Sequence, residues 1–350
     1  MSHKMETQWD AKLHNAAKDG DLYELQRILD SGRVHVDCAD EIGVTALMRT
    51  AAGGFDDACI QGRMQVSPAG VAHGGTKVNL QPLHGNPQPL QGCQWLRRNQ
   101  MQPPAYGPAC ILLIDEGADV NAATKPDGAT ALMFAAQGGY VEVVETLLKE
   151  GAKPSAKTKD GTTALLNASQ AGHALICQRL LASGADPTHE SLSDGANPIF
   201  LAAQNGFPEV LSVFAESGYP LNDAKRTSDG ASPVWIASQV GQTETVEFLM
   251  EHGCRDVPRN DGSTGLFKAA QKGYEEIAQA LVWHDSDLGL LGNGESALHA
   301  AALFGNTSIA KRLVEAGANP RLPNRHGETP IDLAQQMNYT DVVSLLRKWI

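Results

Sequence analysis

Apolar and small residues recur along the chain in pairs of short segments, and each pair predicts two helices joined by a tight turn. In residues 127–152, Leu132 and Ala136 share one face of a first predicted helix at helical spacing. Val143 and Leu147 share one face of a second helix, whose other positions are mostly polar. Neither helix can bury its apolar face alone, so the pattern requires neighbouring units to stack.

The same unit returns at a spacing of about 33 residues over about two-thirds of the chain. Each copy carries a glycine in its first turn, and these glycines are Gly128, Gly161, Gly195, Gly230, Gly262, Gly294 and Gly327. Within the first of these copies, Gly139 and Gly151 follow the two predicted helices, where a positive φ is cheapest for glycine. The spacing therefore predicts a solenoid of repeated helix pairs.

The repeat resembles that of the ankyrin family. The family signature T-P-L-H-x-A has close relatives in residues 296–301, which read SALHAA, and in residues 329–334, which read TPIDLA. The resemblance implies an all-α ankyrin-repeat solenoid of stacked helix-turn-helix units with short β-turn tips. It also implies that a protein partner binds to a concave groove and to the turn tips.

The periodicity fails in one region, which divides the chain into three parts. Residues 8–57 are predicted to hold an N-terminal capping unit and the start of a second repeat, and residues 109–350 the main array with a C-terminal cap. Between them, residues 58–108 are irregular, rich in Gln, Gly and Pro, and free of acidic residues. A genuine insertion and a misread coding segment both fit this composition, and both predict disorder.

Composition narrows the class of partner. The formal net charge of −12 opposes binding to a nucleic-acid backbone or an anionic membrane, so we expect a protein partner and a monomeric chain. No segment resembles a secretory signal or approaches the length of a membrane span, which favours the cytoplasm, with the nucleus as an alternative. The six cysteines show no CxxC spacing, so we expect free thiols, no metal site and no cofactor.

One glutamine occupies the same place in five successive units. These residues are Gln137, Gln170, Gln204, Gln239 and Gln271. In the family that the repeat resembles, this position lies on the concave side of the inner helix and contacts partners, so we expect the five side chains to bind in the groove. Alternatively, neighbouring amides hydrogen-bond along the stack, or duplication of the unit copied the residue.

The turn tips carry a row of cationic and polar residues. These are Lys125, Lys157, Lys159, Arg226, Arg259, Asn260 and Arg325. Against a net acidic body, such a row could select an acidic segment of a partner, although charge rows are more often simply solvated. Phe200, Trp235 and Phe267 stand where the family motif has its histidine, which predicts burial between units rather than recognition.

The sequence contains little that suggests catalysis. His299 matches the motif histidine, which in ankyrin proteins braces the turn by a hydrogen bond, and no nucleophile or carboxylate is fixed beside it. No phosphate-binding loop or metal-protease motif occurs. We therefore expect no catalytic residues and a non-enzymatic scaffold or adaptor, with an enzyme of unrecognised type as the weakest alternative.

Asn121 supports a second alternative, in which the chain is a substrate and competitor of an asparaginyl hydroxylase. It resembles the ankyrin asparagines that this iron- and oxoglutarate-dependent enzyme modifies, because Leu113, Asp119 and Val120 match the preceding positions of those sites. Asn222 has a similar place but lacks the leucine and the acid. An equally simple interpretation is that the side chain of Asn121 closes the turn by hydrogen bonds.

The composition of residues 58–108 leads to a testable expectation. Limited proteolysis of the intact chain should cut first in this segment, because Pro-rich polar sequence buries too little surface to offset the entropy of ordering. Mass spectrometry of the early fragments identifies the cleavage sites. Resistance of this segment to protease, together with slow amide exchange, would show a folded insertion instead.

Overall fold

The structure is a computed structural model that describes residues 3–4, 7–53, 106–191, 193–224, 226, 228–284, 286–292 and 294–350. Within these ranges the chain forms eighteen α-helices, two 3-10 helices and one pair of two-residue strands. The all-α class predicted from the sequence is thus confirmed. The chain divides into two compact units, Met1–Asp119 and Val120–Ile350, and each is described by itself.

The described residues of the first unit form short helices around a small apolar core. Its elements are β1 (His3–Lys4), α1 (Gln8–Asp19), α2 (Leu22–Asp30), β2 (Cys38–Ala39), α3 (Ala46–Ala51) and α4 (Tyr106–Asp115). The two strands pair in parallel, α1 packs on α2 and α3, and α4 packs on α3 and α2. Helix α4 begins ahead of the predicted boundary at residue 109, and residues 58–105 of the predicted irregular segment lie outside the described residues. The division of the chain at residues 58 and 109 stays a prediction.

The second unit alternates inner and outer helices. The inner helices are α5 (Ala131–Gly138), α7 (Ala164–Ala171), α9 (Pro198–Asn205), α11 (Pro233–Val240), α13 (Gly265–Lys272), α15 (Ala297–Leu303) and α17 (Pro330–Gln336). The outer helices are α6 (Val141–Lys149), α8 (Ala174–Ala182), α10 (Pro208–Glu216), α12 (Thr243–Glu251), α14 (Glu275–Trp283), α16 (Thr307–Glu315) and α18 (Thr340–Leu346). The 3-10 helices are Leu221–Asp223 and Arg347–Trp349.

Stacking in the second unit forms two layers. Each inner helix packs on the inner helix of the next repeat and on its own outer helix, and the outer helices pack on one another in the same order. Paired small residues such as Ala135 and Ala136 are fully buried at the inner contacts. Because alanine adds little bulk, it lets these helices approach closely, and the leucines and valines of the outer helices fill the space between the layers.

A polar residue begins every inner helix of the second unit. These N-caps are Thr130, Thr163, Asn197, Ser232, Thr264, Ser296 and Thr329. In all but Thr130, the side-chain oxygen accepts a hydrogen bond from a backbone N–H in the first turn. Such a cap stabilises a helix by about 1 kcal/mol, which matters for helices of only seven or eight residues.

Two features require glycine at the end of an inner helix, namely a positive φ and the close approach of a side chain from the next repeat. Gly139 has a φ of 79°, and a β-carbon at this position would lie 2.6 Å from the ring of His173 in the next repeat. Gly172 has a φ of 82°, and a β-carbon there would lie 2.7 Å from the ring of Phe207. His173 uses this approach to place its Nε2 atom 3.1 Å from the carbonyl of Gln137, so the missing side chain allows a bond between repeats.

One repeat replaces the motif proline by Gly265, and the replacement makes room for a half-buried acid. The carboxylate of Asp256 accepts hydrogen bonds from the backbone N–H groups of Gly265 and Leu266, at 2.6 and 2.8 Å. Proline has no N–H to donate, and a β-carbon at residue 265 would lie 2.9 Å from Asp256 Oδ1 and 2.8 Å from Ser238 Oγ. Burial raises the pKa of Asp256 to about 6, so the carboxylate is ionised at neutral pH and needs these donors.

This contact predicts the effect of Gly265→Ala. An alanine near the start of an exposed helix usually stabilises it, but here the added methyl group must displace a carboxylate and a hydroxyl. We expect the free energy of unfolding to fall by about 1–2 kcal/mol, measured by denaturant titration.

The double variant with Asp256→Ala provides the control. Removing the carboxylate relieves part of the crowding, so Gly265→Ala should cost measurably less in that background. An equal loss in both backgrounds would show that the two residues act independently.

Candidate partner-binding surface

The motif histidine braces the turn of the next repeat, as the sequence predicts. Backbone N–H of Ser296 lies 3.2 Å from His299 Nδ1, which must therefore accept, so the neutral ring carries its proton on Nε2. That proton points to the carbonyl of Glu328 at 3.2 Å, and burial keeps the pKa of His299 below its ordinary value. His14 makes the corresponding bond to the carbonyl of Cys38 in the first unit, at 3.0 Å. Both ring nitrogens of His299 thus serve the fold.

A tryptophan makes a similar bond in one repeat that lacks the histidine, and two other repeats have a phenylalanine at this position. Trp235 is 1% exposed, and its indole N–H donates to the hydroxyl of Ser263 in the next repeat at 3.1 Å. Phe200 is fully buried, and Phe267 is half-buried. Burial between repeats is therefore confirmed for Trp235 and Phe200, and the indole supplies the same donor as His299 Nε2.

Two of the predicted turn-tip cations are engaged within the stack. Arg226 lies 4.9 Å above the ring of Phe200 and pairs with Asp229. Arg259 lies 4.8 Å above the ring of Trp235 and bonds to Asp229 at 2.9 Å, and it also contacts Asp261. The pKa of Asp229 falls despite its burial, because both guanidinium groups stabilise the carboxylate. These two arginines thus link consecutive repeats.

The other predicted tip residues are exposed and rest on a regular backbone. Lys159 N–H donates to the carbonyl of Asp127 in the preceding tip at 2.7 Å, and Arg325 N–H donates to Gly294 at 3.2 Å. Asn260 N–H makes the same kind of bond, to the carbonyl of Asp229 at 3.0 Å. The side chains of Lys125, Lys157, Lys159, Asn260 and Arg325 are exposed, and Lys157 Nζ lies 3.0 Å from His189 Nδ1. The tips are therefore held in place while most of these side chains face solvent.

The five glutamines occupy the seventh residue of five successive inner helices. Gln137 is exposed, and Gln170, Gln204, Gln239 and Gln271 are half-buried. Among the residues that the structure describes, no hydrogen bond joins the side chain of one of these glutamines to another. Gln271 instead lies 3.4 Å from Lys268 Nζ. The amides thus retain free hydrogen-bonding capacity on the inner-helix face.

An apolar row beside the glutamines was not predicted from the sequence. Val240, Phe304 and Met337 are 38%, 46% and 48% exposed, and each directly follows the glutamine position of its repeat. Earlier repeats have Gly138 and Ala171 at this place. The sequence signal that could have identified them is the change at this position from small or polar residues, such as Gly138, Ala171 and Lys272, to large apolar ones.

Asn121 is bound to the loop of the following repeat. Its Nδ2 atom donates to the carbonyl of Gly151 at 3.0 Å, and its Oδ1 atom accepts from the N–H of Lys153 at 2.9 Å. Asn222 has a similar role, because its Oδ1 atom accepts from the N–H of Arg255 at 3.1 Å. These bonds therefore cross between repeats.

Within the described residues, the cysteines are unreactive and no group of metal ligands is present. Cys38, Cys110, Cys177 and Cys254 are buried free thiols. Burial raises the pKa of Cys38 and Cys110 to about 12 and that of Cys177 to about 11, so these three are protonated at neutral pH. Within the same described ranges, no three His, Cys, Asp or Glu side chains are grouped to hold a metal, and no helix has the length and apolar character to cross a membrane. Cys59 and Cys93 lie outside the described residues.

Comparison with solved structures places this helix stack among known folds. The ankyrin repeat domain of human ASB11 matches with a TM-score of 0.56 and 25% identity, over 63% of this chain and 98% of the other. The ankyrin repeat domain of Bcl-3, described as a unique member of the IkappaB protein family, matches with a TM-score of 0.57 and 25% identity, over 63% and 99%. No significant match was found among curated proteins.

The family comparison covers most of the chain. The family model described as ankyrin repeats in three copies matches residues 105–191, 187–261 and 266–349. These ranges include all five glutamines of the row and the motif histidine His299. Ankyrin repeats are generally protein–protein interaction modules without catalytic activity. By sequence, by the geometry of its repeats and by its structural neighbours, the chain belongs to the ankyrin-repeat family.

Proposed function

We propose that the protein is a non-enzymatic scaffold or adaptor that binds a protein partner on the inner-helix face and the turn tips of its second unit. The observation that carries the proposal is the row of partly exposed glutamines, whose amides make no hydrogen bonds to one another among the described residues. Side-chain amides that are neither buried nor paired cost little to desolvate when a partner supplies matching groups. A cytoplasmic or nuclear location accords with this role.

The apolar row gives the inner-helix face a second kind of contact. Val240, Phe304 and Met337 place large apolar groups beside the glutamines at successive or nearby repeats. Burying such groups against a partner supplies the driving force, and the amides next to them supply direction. This combination favours a folded or helical segment of a protein over a small molecule.

The turn tips supply the electrostatic part of the proposal. Because Arg226 and Arg259 already pair with Asp229, the cations left to select an acidic segment are Lys125, Lys159 and Arg325, with Lys157 beside them. Exposed charges of this kind act mainly on the rate and specificity of association. The preference for an acidic segment should therefore weaken as salt is raised.

The glutamine row can be tested by changing Gln170, Gln204 and Gln239 together to Ala. Affinity purification with mass spectrometry identifies the partners of the intact chain, and the affinity of the strongest is then measured for both proteins. We expect the affinity to fall about tenfold or more, because contacts near the centre of an interface concentrate binding energy. The free energy of unfolding should change by only about 0.5 kcal/mol per residue, since no hydrogen bond between the amides is lost.

A matched triple variant on the outer helices serves as the control. Glu142→Ala, Gln178→Ala and Ser308→Ala change exposed residues of α6, α8 and α16 and should leave the affinity unchanged. Unchanged affinity in the glutamine variant, or equal losses in both variants, would contradict the assignment of the partner site to the inner-helix face.

The alternative function, as a substrate and competitor of an asparaginyl hydroxylase, rests on Asn121. The residue is only half-buried, and two hydrogen bonds hold its side chain at the surface of the second unit. An enzyme that acts on this side chain must first open those bonds. The residues before Asn121 still match the sites that such an enzyme modifies.

Mass spectrometry of the protein produced with active hydroxylase tests this alternative. If Asn121 is a substrate, its peptide should gain the mass of one oxygen, and the peptide with Asn222 should gain much less. The Lys153→Pro variant removes the N–H that holds Asn121 and should raise the modified fraction. An unmodified Asn121 in both proteins, under conditions in which a known ankyrin substrate is modified, would exclude this function.

A further inference from the structure

Three consecutive outer helices of the second unit carry acidic residues and no basic residue to balance their charge. Helices α10, α12 and α14 contain no lysine or arginine, and their glutamates are Glu209, Glu216, Glu244, Glu247, Glu251, Glu275 and Glu276. The flanking outer helices differ, because α8 contains Arg179 and α16 contains Lys311 and Arg312. Negative charge is therefore concentrated on one part of the outer-helix face.

Trp283 lies at the end of the last of these helices and is 84% exposed. Other repeats place small or charged residues at this point and continue into a glycine, as at Lys149 and Gly151. The contrast with Trp235, which is 1% exposed and hydrogen-bonded between repeats, shows that Trp283 has no role in the core. A tryptophan in solvent offers a large face that a partner can cover.

A cleft of about 460 Å³ connects this tryptophan to the acidic residues. It runs between α12 and α14 and is lined by Glu247, Glu251, Glu276, Gln279 and His284 together with Trp283. Elsewhere on the outer face, glutamates pair with cations of the protein itself, as Glu145 does with Arg179 at 2.7 Å. Among the described residues, no lysine or arginine pairs with any of the three glutamates of the cleft.

The chemistry of the cleft decides which partner fits. The face of an indole attracts cations, and arginine in particular stacks on it. Three nearby carboxylates without partners add attraction for the same charge and repel nucleic acid, anionic lipid and acidic peptide. An arginine-containing segment therefore satisfies both features of the cleft, whereas a purely apolar segment would leave the carboxylates unpaired.

We propose that the cleft between α12 and α14 is a docking surface for an arginine-containing, basic segment of a second protein partner. One guanidinium group stacks on Trp283, and its neighbours pair with Glu247, Glu251 and Glu276. This surface lies on the outer helices, away from the glutamine row on the inner helices. The protein would then hold two partners of opposite character at once, one on each helix layer.

Fluorescence anisotropy with a labelled peptide tests the proposal. The probe is a short peptide in which arginines are spaced by glycine and serine, and its counterpart carries citrulline, the neutral isostere, at every arginine. The intact protein should bind the arginine peptide about tenfold more tightly than the citrulline peptide. Trp283→Ala, and separately the triple variant Glu247→Gln, Glu251→Gln and Glu276→Gln, should each weaken binding about fivefold or more.

Matched variants separate the cleft from general charge attraction. Trp349→Ala removes another exposed tryptophan, which is 49% exposed, and a triple change of Glu142, Glu150 and Glu315 to Gln alters the net charge equally. Both should bind within about twofold of the intact protein. Trp283 is so exposed that Trp283→Ala should leave the melting temperature unchanged, and Trp283→Phe, which keeps an aromatic face, should restore part of the affinity. No binding of the arginine peptide by the intact protein, or equal losses in cleft and control variants, would overturn the proposal.

Discussion

Contact between consecutive repeats is the constraint on which the rest of the second unit depends. A single pair of helices exposes one apolar face, and only the next pair covers it. Paired alanines of the inner helices, such as Ala202 and Ala203, are fully buried because the next inner helix lies directly against them. The capped helix starts and the glycine ends fix where each helix begins and stops, and so help to bring these faces together.

Hydrogen bonds between repeats start from equivalent positions, but different side chains donate them. One repeat uses His299 to reach the carbonyl of Glu328, and another uses the indole of Trp235 to reach the hydroxyl of Ser263. At the opposite end of the inner helix, Asn306 donates to the carbonyl of Ala270 at 2.7 Å, where His173 fills the same role in an earlier repeat. Different side chains thus supply a hydrogen-bond donor from the same position of different repeats.

The sequence predicted those parts of the fold that lie within one repeat. The period, the helix pairs and the exit glycines follow from local spacing, because a helix face and a turn are properties of neighbouring residues. The brace at His299, which reaches the next repeat, was expected only from the resemblance to the ankyrin family. Contacts that cross about 30 residues were less accessible. Nothing local shows that Arg259 joins Arg226 on the carboxylate of Asp229, 30 residues before it. The contact between Gly265 and Asp256 spans only nine residues, but Asp256 lies in a loop that helical periodicity does not describe. The exposed apolar row at Val240, Phe304 and Met337 was missed for a related reason, since periodicity marks apolar residues as core.

The linked arginines have a consequence for how the array moves. In a linear stack, each repeat is stabilised only by its neighbours, so opening starts at the ends and at the weakest interfaces. The bridge of Arg226, Asp229 and Arg259, with Phe200 and Trp235 beneath it, strengthens consecutive interfaces in the interior of the second unit. Amide exchange should accordingly be slowest in the repeats that carry Gln204 and Gln239. A partner bound on the proposed glutamine face over these repeats would then cost the protein little conformational entropy.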